Sequence, residues 1–452
     1  MTRKQMTRTY RHGVLSVMLL CIIFISSGAA SADGKGKAHL SLDEQKMVSW
    51  IDANIANLET LIETQVNINS GTNNPAGVNK VGDVLEKELQ SLGFDANRYL
   101  LPESMQRGNH LFATRGVSNA SQKKRLLLIG HLDTVFEPDD PFNRFERQGD
   151  WASGPGISDM KDGNAILIYA LKALSTVGAL DDAQFTVSYT GDEESTGDPL
   201  SESRKPLIEA GKWADVSLGF ESGIVDEQGE WATVSRRSSS GWCLQVTGRQ
   251  AHSSGIFSEQ AGAGAIFEAA RILNQFYEEV RGEQYLTFNA GTIMGGTEVQ
   301  ADCEAPRGEV YGKTNVIPNG AVVRGGMRTI SNDQLDRARE AMRSIVKESL
   351  PHTNASIDFY DGYPAMSPTA GNKALKELLS DVNEALGGKA MPTLDPSRRG
   401  AADISFVAPH SDALAGLGGY GEGEHSPNER LDLRSLPIAT KRAALLIYRL
   451  TR

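Results

Sequence analysis

The chain has 452 residues, of which 40% are hydrophobic and 23% charged, with a formal net charge of −11. Such a composition belongs to an ordinary globular protein with room for two domains and a sizeable core. The acidic balance, with no basic cluster, argues against nucleic acid as a partner.

Residues 1–32 read as a secretory signal peptide. Arg3, Lys4, Arg8 and Arg11 precede an apolar run over 13–26, and Ala30-Ser31-Ala32 supplies a small-x-small cleavage site. The run is short for a membrane span and is followed by Ser27, Gly28 and Ala29. The expected mature chain begins at Asp33, is exported, and has no membrane partner after cleavage. It keeps two cysteines, Cys243 and Cys303, which either pair or remain two buried thiols.

Ser41 and Glu44 form a capping-box pattern ahead of a helix to about Val66, and Pro75 opens a second helix that ends near Gly93. Strands are expected at 109–115, 125–130 and 185–190, with a helix at 164–174 between the last two. This alternation predicts a doubly wound α/β sheet covered on both faces. The texture changes near Ser238. A strand at "GWCLQVTG", a helix over 260–281, strands at 285–294 and 314–329, a helix capped by Ser331 and a strand at "ASIDFYDGY" follow in ferredoxin-like order. Residues 238–362 therefore read as a small α+β domain inserted between two parts of the larger one, 33–237 and 363–452. A helix at 371–386 resumes the first domain.

Five segments place metal-capable side chains in turns after apolar runs or among glycines. "LLLIGHLDTV" ends on His131 and Asp133, and "GPGISDMKDGNA" holds Asp159. "TGDEES" holds Glu193 and Glu194, "GFESG" holds Glu221, and "GEGEHSPNE" holds His425. Each alone is weak, since acidic loops are usually solvated turns. Together they lie where a doubly wound sheet gathers a site, and two histidines with three carboxylates suit two divalent ions.

These stretches, with "GRQAHSS" and "TNVIPNGAVVRGGMRT", resemble the M20 family of zinc peptidases over about residues 41–450, nearest its glutamate-carboxypeptidase-like branch. The resemblance implies two zinc ions per chain, with cobalt or manganese as possible substitutes. His131, Asp159 and Glu221 would hold one ion, and Asp159, Glu194 and His425 the other. Asp133 would fix the tautomer of His131, and Glu193 would be the general acid/base. It further implies that the inserted domain is a lid and dimerisation domain, whose His252, Asn315 and Arg328 bind the substrate carboxylate and the developing oxyanion. The expected function is hydrolysis of an amide next to a C-terminal amino acid in a small peptide or N-acyl amino acid. A deacylase of the same family is the alternative, and a non-catalytic exported binding protein a more distant one.

Three departures stand out. Asp162 replaces a usual glycine, an extra residue separates the Glu pair from Gly197, and a polar excursion spans 297–312. A serine hydrolase would need Gly-x-Ser-x-Gly and a zincin His-Glu-x-x-His, and neither occurs.

Protein purified from the native host is expected to begin at or near Asp33. N-terminal sequencing checks this, and an intact Met1 on cytoplasmic protein would refute export.

Overall fold

The computed structural model describes residues 39–118, 121–303 and 307–452. The expected signal peptide lies outside the described residues. Among these, no helix is long and apolar enough to cross a membrane.

Ser41 accepts from the Glu44 N–H while Glu44 returns a bond to the Ser41 N–H, so the expected capping box starts the helix Leu42–Val66. The strand Arg125–His131 is the centre of the first layer. Its alternate side chains enter different cores, which is why it reads as an unbroken apolar run. Leu126 and Leu128 pack with the helices Leu42–Val66, Asp162–Ser175 and Ser435–Leu450, whereas Leu127 and Ile129 pack with Leu207, Ile404 and Val407. Gln184–Thr190 and Val216–Gly219 flank it in parallel, and Asp412–Leu414 extends the sheet beyond the latter. His110–Arg115 and Asp95–Tyr99 complete the opposite edge in antiparallel register, giving six strands. The parallel strands end together, which brings His131, Thr190 and Gly219 to one rim.

The second layer is a four-stranded antiparallel sheet in the order Thr287–Gly296, Gly320–Arg328, Ser239–Gly248, Thr353–Tyr363. With the helices Ala265–Gln275 and Asn332–Lys347 it has the expected ferredoxin-like connectivity. It also has its own core, which includes Trp242, Leu244, Ile272 and Met342. Two element starts differ from expectation by the widest margin. The first helix begins at Ala265 rather than 260, because Gly262 and Gly264 take φ of 70° and 80° in the left-handed region. The third strand begins at Gly320 rather than 314, leaving Asn315 in the preceding loop, where Pro318 lacks the N–H a ladder needs.

The chain passes between layers at two adjacent places. Arg236 and Met366 exchange both backbone hydrogen bonds there, each 3.0 Å.

The two cysteines form a disulfide, Cys243–Cys303, with Cα atoms 5.6 Å apart. It fastens the polar excursion, in which Glu298–Gln300 pairs with Glu309–Tyr311, to the strand Ser239–Gly248. A cross-link closing a 60-residue separation restricts the unfolded chain strongly. Replacing both cysteines with serine should cost about 2–4 kcal/mol in denaturant unfolding. Equal midpoints for parent and variant would show that the bond adds nothing.

Candidate active site

Asp133 lies just beyond the strand Arg125–His131, and its carboxylate organises the neighbouring loop. It accepts the N–H groups of Glu193 at 2.9 Å and Glu194 at 3.0 Å, and the Thr72 hydroxyl at 2.7 Å. His131 Nδ1 lies 3.0 Å from the Asp133 carbonyl oxygen and 3.6 Å from its carboxylate. The ring's second nitrogen, Nε2, is thereby directed at Asp159 Oδ1, 3.2 Å away. The tautomer-fixing contact expected of Asp133 thus comes mainly from its backbone, while its carboxylate positions the two glutamates.

Asp159 sits in the turn before the helix Asp162–Ser175. The Glu429 carboxylate holds that turn by accepting the N–H groups of Gly156, Ser158 and Asp159 at 3.0, 2.8 and 3.0 Å. Glu429 closes the stretch "GEGEHSPNE", and nothing in the sequence marks it as a holder of the distant Asp159 turn. Its only signal was a carboxylate four residues after His425. Asp162, the departure from glycine, is fully buried and accepts the Gly419 N–H at 2.7 Å. Burial pushes its carboxyl well above the usual range. It therefore ties the helix start to the glycine-rich turn leading toward His425.

His131, Asp159 and Glu194 each offer a ligand-capable atom, all within 4.8 Å of one another. His425 Nε2 is 3.1 Å from Asp159 Oδ2 and 3.1 Å from Glu194 Oε2. Glu194 Oε1 is buried without a hydrogen-bond partner. An acceptor left bare among carboxylates and imidazoles suits a cation. Burial opposes ionisation of Asp159, yet bonds from His131 and His425 hold its carboxyl well below the usual range. Asp159 and Glu194 together push His425 up to about 11. Burial opposes the charged form of His131, but Asp133 and Asp159 raise its pKa well above the ordinary value. Burial, against the attraction of His131 and with repulsion from Asp403, Glu221 and Glu194, pushes Glu193 well up.

These side chains open into a cavity of about 290 Å3 lined by Asp159, Glu193, Glu194, Glu221 and His425. Glu221 stands in the same cavity outside the three-residue group, where Arg236 Nη1 and Arg399 Nη2 both engage its Oε2. The other three expected residues are exposed on the second layer and do not line the cavity. His252 caps the turn Ser253–Gly255 through Ser254, Asn315 accepts the Ser253 N–H through its carbonyl, and Arg328 ends the strand Gly320–Arg328.

The profile of peptidase family M20/M25/M40 matches residues 127–449, a span that takes in His131, Asp133, Asp159, Glu193, Glu194, Glu221 and His425. The chain belongs to that family. Carboxypeptidase G2 of Pseudomonas sp. (strain RS-16) is 29% identical over 394 residues, covering 85% of this chain and 87% of that protein. Succinyl-diaminopimelate desuccinylase of Cupriavidus necator is 25% identical, covering 78% and 88%. The crystal structure of aminopeptidase PepT from Bacillus cereus ATCC 10987 superposes with a TM-score of 0.67 at 18% identity, covering 88% of this chain and 99% of that one. As a member of the M20 family, the chain is a metal-dependent hydrolase acting on amide bonds. The His131–Asp159–Glu194 group is where a metal can be held.

In the metal-free protein the carboxylates around both site imidazoles favour the protonated ring, raising His131 above its ordinary value and His425 to about 11, whereas ligation requires the neutral ring. Zinc uptake should therefore release protons, with apparent affinity falling about tenfold or more per unit as pH drops from about 8 to 6. Competition against a chromophoric chelator measures this. A flat profile would contradict the assigned ligands.

Proposed function

We propose that the protein is an exported two-zinc carboxypeptidase that cleaves the amide next to a C-terminal amino acid in small peptides or N-acyl amino acids. The observation carrying this reading is Glu193, which faces the cavity beside the ligand group while Glu194 turns to His425. A binding protein has no use for such a carboxylate, whereas hydrolysis requires a proton carrier.

In this reading His131, Asp159 and Glu221 hold one ion and Asp159, Glu194 and His425 the other. The ions would polarise the scissile carbonyl and acidify water. Glu193 takes the proton of the attacking water and returns it to the leaving amine. Its backbone is fixed by Asp133 and by the Tyr363 hydroxyl, which donates to the Glu193 carbonyl at 2.7 Å. Arg328, with its forked donors, takes the substrate's terminal carboxylate, and His252 and Asn315 assist at the developing oxyanion. Because all three belong to the second layer, its closing movement forms part of turnover, as in a lid.

Export is supported by the Cys243–Cys303 bond, since disulfides persist mainly in oxidising compartments. Pairing of two chains through the second layer is supported by the strand Thr287–Gly296. It ends the sheet order and leaves Ile293 57% exposed.

Zinc-loaded enzyme should hydrolyse members of a panel of dipeptides and N-acyl amino acids, and chelation should abolish turnover. Glu193→Gln should keep its metal while kcat falls at least ~10²-fold. Near-parental activity in that variant would remove Glu193 from its role, and no hydrolysis across the panel would remove the carboxypeptidase reading.

A further inference from the structure

The cavity holds more positive charge than proton transfer and metal binding call for. Arg236, Arg398 and Arg399 line it together with the ligand group. Arg236 is 5% exposed and Arg399 9% exposed, so both guanidinium groups lie at the buried end. Among the described residues the only carboxylate hydrogen-bonded to either is Glu221, and both use the same oxygen of it.

Arg236 is otherwise satisfied, because its Nε donates to the Gly400 carbonyl at 2.7 Å. Arg399 is not. Its Nη2 reaches Glu221 at a long 3.3 Å, and its buried Nε has no partner at all. A buried guanidinium with an idle donor is costly unless something pairs with it. Among the described residues the Arg399 Nε gains no such pairing, and the Glu221 oxygen that Nη2 reaches is shared with Arg236. The cavity that Arg399 lines has a volume of about 290 Å3 and is also lined by Gly400 and Ala401, whose side chains are absent or small. Arg398 stands nearer solvent, fixed by Asp226 at 2.8 Å and by the Trp231 ring, and adds to the positive field.

We propose that Arg399 receives a carboxylate of the substrate inside the cavity, additional to the terminal carboxylate assigned to Arg328. The preferred substrates are then amides carrying two carboxylates, the second either on the acyl group or on the side chain of the released amino acid. This inference rests on the amidohydrolase reading above and narrows its substrate class. A guanidinium fork matches a carboxylate in two parallel bonds. A site built for such pairing rejects the neutral isostere, which would leave the donors bare.

The test uses zinc-loaded full-length enzyme and two matched pairs. N-succinyl-leucine against its succinamoyl analogue probes the acyl side, and N-acetylglutamate against N-acetylglutamine probes the released amino acid. The parent should favour the charged member of at least one pair by ~10-fold or more in kcat/KM. In Arg399→Met that ratio should fall to within about threefold of unity, whatever loss both members share, and Arg399→Lys should restore it only in part. Glutarate should also bind the parent at least ~10-fold tighter than its monoamide by calorimetry, a preference that Arg399→Met abolishes. No charge preference in either pair, or a preference that survives Arg399→Met, would overturn the assignment. If no parent preparation hydrolyses any of the four compounds, the amidohydrolase reading is what fails, and glutarate binding still judges Arg399. Should Arg399→Met not fold, the parent's glutarate preference decides alone.

Discussion

The centre depends on the convergence of three hydrogen bonds on the Asp133 carboxylate. Two come from consecutive backbone N–H groups, those of Glu193 and Glu194, and the third from Thr72. Adjacent residues with both amides held by one acceptor leave their side chains free to diverge. One carboxylate meets His425, and the other faces the cavity. Two chemically identical groups acquire different environments from this single anchor.

Beneath the Glu193 loop lies a buried ionic network. Arg204 is fully buried and bonds to Asp192 at 2.5 Å, Asp403 at 2.8 Å and the Tyr363 hydroxyl at 2.8 Å. Burial disfavours its charge, but Asp403, Tyr363 and Asp192 outweigh this and hold its pKa well above the ordinary value. Such a network adds little net stability compared with apolar packing, yet losing one partner leaves a bare charge. Its members come from the Glu193 loop, the segment around Asp403 and the last residue of the second sheet. The network therefore fixes the relative positions of those three segments.

Much of this was legible in the sequence because the informative residues lie at ends of apolar runs. The central strand, the capping box at Ser41 and the strand order of the second layer follow from periodicity and turn chemistry. The edge strand Asp95–Tyr99 escaped notice because its sequence, DANRY, is polar and only half-buried. The closing helix Ser435–Leu450 was not separately identified either. At the centre, ligand-capable residues could be named from their turns, but the partners of Glu221, Arg236 and Arg399, could not. Neither lies within a motif, Arg399 is 178 residues from Glu221, and both meet it only through the fold. Asp162 and the extra residue before Gly197 looked like irregularities. Gly197 is held by Asp192 rather than by the Glu pair, its N–H 2.7 Å from Oδ2, so the insertion leaves the Asp133 anchor untouched.

The paired crossings at Arg236 and Met366 restrict how the two layers can move. Two antiparallel segments joined by reciprocal hydrogen bonds form a short ribbon, and a ribbon bends across its flat face far more readily than it shears along its length. The second layer is left with swing as its soft degree of freedom, while translation parallel to the crossings is stiff. Arg236 belongs to that ribbon through its backbone and to the cavity through its guanidinium. One residue thus joins the crossing between the layers to the wall of the cavity, so a change in the crossing is felt directly at Glu221.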